Sequence, residues 1–154
     1  MHPSTQRRRR GFTLIELMVA VAMLGILAAI AYPSLTSMIK RSRRADAMAG
    51  LTAVVQAQER YRSNHPTYSD SVGTLITNAN AIYKYYDLAL TAGESGTFVA
   101  GYTVTATPKS GGVQSSDTDC AEMSVKLEGS LFYYLAKKAD GTEGDAVVKH
   151  CWGR

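Results

Sequence analysis

Apolar residues dominate the chain from Phe12 to Ala31, twenty positions whose only ionisable side chain is Glu16. At 1.5 Å per residue, a helix of that length covers the roughly 30 Å hydrocarbon thickness of a bilayer. Beyond Pro33 the pattern changes: apolar or small residues recur at helical spacing, at Met38, Ala45, Met48, Ala49 and Val55, and Gly50 is the sole glycine before Ser63. The two stretches predict one continuous helix of about fifty residues. Its second half is amphipathic, with Leu51, Val54, Val55 and Tyr61 as the side chains expected to pack onto a head. Asn64-His65-Pro66 ends it, because proline lacks an N–H and disfavours helical geometry in the preceding residue.

After Pro66 the periodicity shortens. Thr67 to Ala81 reads as an irregular connection with one short helical turn. Strands are expected at Ile82 to Leu90, at Thr97 to Thr107, at Glu122 to Leu127 and at Leu131 to Leu135. In the second of these, Tyr102, Val104 and Ala106 alternate with Thr103, Thr105 and Thr107, and in the third Met123, Val125 and Leu127 share one face. Gly93 to Gly96, Pro108 to Gly112 and Glu128-Gly129 supply the turns. The resulting antiparallel meander has one apolar face, which the second half of the helix can cover. The fold class is therefore α+β, divided into residues 1–11, the apolar segment 12–33, the amphipathic helix 34–63 and a globular β-sheet head 64–154.

Charge sharpens this division. The formal net charge is +4, yet four of the seventeen basic residues are Arg7 to Arg10, and without residues 1–11 the balance is 13 against 13. From Asn64 onward seven basic residues face ten acidic ones, so the alkaline pI belongs to the flanks of the apolar segment. The cluster Lys40-Arg41-Ser42-Arg43-Arg44 is expected at the membrane-facing end of the helix, against anionic lipid headgroups or acidic residues of neighbouring subunits. Nucleic acid is the less favoured partner.

Catalytic chemistry finds no foothold in the sequence. His2, His65 and His150 have no spacing that suggests a metal site or a Cys-His nucleophile, and neither a phosphate-binding loop nor a nucleophile elbow occurs. Asp117, Asp119 and Glu122 lack the glycine and glutamate of a calcium loop and read as a solvated turn. No cofactor or metal is implied. Cys120 and Cys151 match no zinc pattern: they are a disulfide if the head reaches an oxidising compartment, and two buried thiols otherwise.

The N-terminal segment admits three readings: a plain membrane anchor, a secretory signal cleaved after Ala29-Ile30-Ala31, or a segment that leaves the membrane to build an assembly. The apolar run exceeds the usual length of a secretory signal core. It also contains Glu16, which costs about 2.5–3.5 kcal/mol at mid-membrane.

Gly11-Phe12-Thr13-Leu14-Ile15-Glu16, behind a basic leader and ahead of an apolar run with Gly25 and Pro33, closely resembles the class III signal of type IV prepilins and type II secretion pseudopilins. The resemblance implies that a prepilin peptidase cuts between Gly11 and Phe12 and N-methylates Phe12. It implies that Glu16 pairs with the Phe12 amine of a neighbouring subunit in a filament, which gives the buried carboxylate its partner. The stretch from Gly25 to Pro33, weakened by its glycine and proline, is expected to melt in the filament.

Gly101 to Pro108, Asp119-Cys120 and the terminal Cys151-Trp152 look like the head of PilE-type minor pilins, in which the cysteine pair pins the C-terminal segment to the sheet. Phe132-Tyr133-Tyr134 departs from that pattern as an unusually aromatic stretch, an extra strand or a contact surface. The implied fold is that of a type IV pilin. The implied function is a structural subunit, more a minor than a major one, that supports adhesion, twitching motility or DNA uptake. Its partners would be other pilin subunits, the prepilin peptidase, the inner-membrane assembly machinery and, before assembly, lipid, with the head in the periplasm. Two alternatives stand beside it: a type II secretion pseudopilin, and a pilin receptor for DNA with a local patch at Lys137, Lys138, Lys149, Tyr133 and Tyr134.

Overall fold

The computed structural model describes residues 12–77, 79 and 83–153. The chain divides after Met38 into two compact units. The first helix, α1 (Leu14–Arg62), supplies residues to both.

In the first unit the large apolar side chains from Phe12 to Met38 all face outward. This part of α1 has a mean hydropathy of 2.6 over eighteen residues, none of them buried, so it is long and apolar enough to cross a membrane. Pro33 lies inside the helix and deprives the carbonyl four residues earlier of its donor. The helix nevertheless continues, and just beyond it the Thr36 and Ser37 hydroxyls donate to the Pro33 and Ser34 carbonyls at 2.9 and 2.8 Å.

The second unit is built on a four-stranded antiparallel sheet in the order β1 (Tyr86–Ala92), β2 (Gly101–Pro108), β3 (Glu122–Glu128), β4 (Leu131–Lys137). The meander expected from the alternation is present. Tyr102, Val104 and Ala106 share one face with Met123, Val125 and Leu127, and this face meets Ala47, Leu51 and Val54 of α1 in a single core. Burying a large aliphatic or aromatic side chain contributes roughly 1.5–3 kcal/mol, so this shared core holds the helix on the sheet. At Gly50 the helix comes so close to the segment just before β1 that a Cβ would stand 2.7 Å from the Tyr83 ring.

Several boundaries shift. The expected first strand starts in part outside the described residues, and β1 begins only at Tyr86. Residues 97–100 are bends rather than strand, tied down where the Tyr68 N–H donates to the Phe98 carbonyl at 2.8 Å. The single helical turn of the connection is α2 (Val72–Leu75). Val55 packs at the margin of the core, while Tyr61 turns away from it to stack on His65, ring centroids 3.8 Å apart.

A last helix, α3 (Asp145–Trp152), is absent from the sequence reading. It buries Val147, Cys151 and Trp152 and ends at Gly153, whose φ of +68° favours glycine. The Trp152 indole N–H donates to the Leu135 carbonyl at 3.0 Å, and the ring meets Tyr134 edge to face.

Candidate functional site

The N-terminal end of α1 answers how a carboxylate persists in an apolar segment. Both the Thr13 N–H and the Thr13 hydroxyl donate to Glu16 Oε2 at 2.9 Å, and the Glu16 N–H points back to Thr13 Oγ1 at 3.3 Å. This is a reciprocal capping box, which satisfies donors that a helix start leaves open. The Thr-x-x-Glu spacing that creates it is present in the sequence as Thr13-Leu14-Ile15-Glu16. Phe12 is 90% exposed immediately before the box, and Gly11 lies outside the described residues. Around Gly25 an added Cβ would meet nothing within 4 Å, and α1 runs unbroken through Gly25 and Pro33.

In the head unit the basic cluster at residues 40–44 is engaged by the protein itself. Arg44 is buried, and its Nε and Nη2 donate to the two carboxylate oxygens of Asp117, both at 2.7 Å. Hydrogen bonding to that carboxylate raises the Arg44 pKa further, against the cost of burial. Gln114 adds donors to Asp117 Oδ2 at 2.8 Å and to the Lys40 carbonyl at 3.3 Å, while Lys40 Nζ reaches the Ser116 carbonyl at 2.7 Å. Two sequence expectations are corrected here. Asp117 is 2% exposed rather than part of a solvated turn, and Arg44 is unavailable to lipid. Periodicity gave no sign of the pairing because the partners lie 73 residues apart.

Cys120 and Cys151 form a disulfide that joins a short 3-10 turn (Thr118–Cys120) to α3, with Cα atoms 5.7 Å apart. Of the expected basic-aromatic patch, one of the three lysines is in an ion pair among the described residues, and a neighbouring lysine outside the patch is paired as well. Lys137 pairs with Glu143 at 3.0 Å, and Lys126, which lies over the Tyr133 ring, pairs with Glu94 at 2.6 Å and Glu128 at 3.0 Å. A different cationic group gathers at Tyr85. Arg43 lies 4.9 Å and Lys84 5.6 Å from its ring centre, and Lys109 follows directly after β2, its backbone N–H rather than its ammonium donating to the Tyr85 carbonyl at 3.0 Å. Among the described residues, none of these three cations is in an ion pair with a carboxylate.

A long apolar helix with a capped Glu16, four antiparallel strands and a C-terminal disulfide agree with the comparisons to known proteins. Residues 33–124 match the profile of the family described as type IV minor pilin ComP, DNA uptake sequence receptor. The chain belongs to this family of type IV minor pilins. Residues 6–32 match the prokaryotic N-terminal methylation motif. The pilin is 49% identical over 63 residues to the type IV major pilin protein PilA of Myxococcus xanthus, covering 41% of this chain and 29% of that one. It is 32% identical over 74 residues to type II secretion system core protein G of Dickeya chrysanthemi, covering 46% and 48% of the two chains. Over 107 residues it is 33% identical to the fimbrial protein EcpC of Eikenella corrodens, covering 68% and 66%. The pilin thus spans about half or less of the length of the first of these curated relatives.

Proposed function

We propose that this pilin is a minor subunit of a type IV pilus, cut between Gly11 and Phe12, N-methylated at Phe12 and polymerised through α1. The observation that carries the reading is the succession of a methylation motif over residues 6–32 and a minor-pilin head over residues 33–124. Before assembly the apolar part of α1 sits in the inner membrane with the head in the periplasm, and afterwards the head faces outward along the filament. Other pilin subunits, the prepilin peptidase and the inner-membrane assembly machinery are the partners. A pseudopilin shares the methylation signal, but the head match favours the pilus.

In this reading Glu16 exchanges partners. The capping box holds the carboxylate in the separate subunit, and the Phe12 amine of a neighbour replaces or joins Thr13 in the filament. Gly25 and Pro33 leave the intervening turns the easiest to open as the subunit docks. Glu16→Ala is expected to insert in the membrane and to be missing from sheared filaments; normal incorporation refutes the role. Intact mass and N-terminal sequencing are expected to give N-methylated Phe12, and a start at Tyr32 refutes the processing.

A second, finer role rests on the family description as a DNA uptake sequence receptor and on the cations around Tyr85. Arg43, Lys84 and Lys109 can neutralise phosphates while the aromatic ring offers a stacking surface. The net acidic balance of the head confines such binding to this patch. Each phosphate contact contributes about −0.9 to the slope of log affinity against log salt. Replacing all three cations by glutamine should flatten that slope by about two to three in full-length protein titrated with duplex DNA. An unchanged slope refutes this location.

A further inference from the structure

The solvent face of the sheet lies opposite the core that holds α1, and strand register fixes its layout. In one row across all four strands, Ala89 pairs with Thr105, Thr105 with Ser124, and Ser124 with Leu135. One neighbouring row runs through Thr91, Thr103, Lys126 and Tyr133. On the other side Glu122 pairs with Lys137, which is extended by its bridge to Glu143. The middle row has small side chains on three strands, and its neighbours carry long ones on β3 and β4. The face is therefore a trough rather than a plane.

This groove has a volume of about 440 Å³, within the range of small-molecule sites. The three spacings of about 4.8 Å between its four strands give it a length of roughly 14 Å, enough for a short oligomer rather than a single ring. Its floor is built of hydroxyls from Thr91, Thr103, Thr105 and Ser124, groups that both donate and accept. Ser124 donates to Thr105 at 3.1 Å, which orients the floor before any ligand arrives. Two carboxylates, Glu122 and Glu143, outnumber the single ammonium of Lys137, so the lining disfavours phosphates and accepts from neutral hydroxyls. At the β4 end Leu135 and Tyr133, each 42% exposed on this face, offer apolar surface.

Polar floor, acidic wall and apolar rim match the amphipathic surface of a sugar ring, hydroxyls at its edge and C–H bonds on its face. We propose that this trough is a binding site for a neutral oligosaccharide, a function separate from filament assembly and from DNA recognition at Tyr85.

The test is an NMR titration of the full-length chain in zwitterionic micelles, since glycoside detergents would compete. The probes are maltoheptaose and chitohexaose, with duplex DNA in parallel. Saturable shifts confined to Thr103, Thr105, Ser124 and Leu135 are expected with at least one saccharide. Thr105→Val should weaken that binding about fivefold, the loss of one hydrogen bond, and Glu122→Gln, which keeps an acceptor oxygen but loses its charge, should weaken it by a similar factor. Arg43→Gln with Lys84→Gln should leave saccharide binding unchanged while lowering DNA affinity. Glu122→Gln is isosteric on an exposed face, so its result does not depend on how well Thr105→Val folds. Absence of saturable shifts with both saccharides, full affinity in both variants, or displacement of the saccharide by DNA from the same residues overturns the proposal.

Discussion

Removing the Asp117 carboxylate while keeping Arg44 leaves a guanidinium buried without its bidentate acceptor, and Gln114 also loses an acceptor at 2.8 Å. Both partners of the ion pair are almost fully enclosed, with side chains 7% and 1% exposed. Breaking such a pair by deleting one member costs about 3–5 kcal/mol, against 0–1 kcal/mol for a surface pair. For a head of roughly a hundred residues, 1 kcal/mol shifts the melting temperature by about 4–8 °C. Asp117→Ala should therefore lower Tm by at least about 12 °C in thermal unfolding of the full chain, followed by circular dichroism of the sheet. Arg44→Met should do the same. The double variant Arg44→Met/Asp117→Leu, with no stranded charge, should recover much of the loss, giving a coupling energy of opposite sign to the sum of the single effects. Single losses below 1 kcal/mol, or strictly additive ones, would show that the pair acts as a solvated contact and refute its role as a clasp between α1 and the 112–117 segment.

Reduction of Cys120–Cys151, whose cysteines lie 31 positions apart, should destabilise the head by about 3–4 kcal/mol, measured as a fall in denaturant midpoint on adding thiol. Burial lifts the Tyr86 phenol to about 12 and pushes Tyr102 upward as well. The unfolded chain loses these protons near pH 10 while the folded one keeps them, so stability is intact below pH 10 and falls as pH rises toward 12, readable as a lowered Tm at pH 11 against pH 9. Gly50→Ala should destabilise the head through its clash with Tyr83, although alanine favours helices; an unchanged Tm would mean that Tyr83 yields freely. Gly25→Ala meets no neighbour and should raise helicity by about 1 kcal/mol, and a loss of filament incorporation with that gain would tie helix opening to assembly.

Much of the architecture was legible because it is written in local periodicity. Twenty apolar residues specify a membrane-length helix whatever surrounds them, and alternation at Tyr102, Val104 and Ala106 specifies a strand with one buried face. Val55 and Tyr61 show the limit of that signal: the spacing marks a face of the helix, but Val55 reaches only the margin of the core and Tyr61 stacks on His65 instead. The α3 helix escaped notice because eight residues hold barely two turns, too few for a periodicity to repeat.

What the sequence determined by itself was the apolar, capped start of α1, since the Thr13-to-Glu16 capping box and the apolar run depend only on residues within a few turns of one another. Only the tertiary structure decided what the charges do. Arg44 and Asp117 are 73 positions apart, and no local pattern says that one buried pair will consume part of a basic cluster while Arg43 and Lys84, in no ion pair among the described residues, gather around Tyr85. Long-range electrostatics are fixed by which side chains the packed core brings within a few ångströms, because Coulomb attraction and desolvation depend on distance and burial rather than on order along the chain.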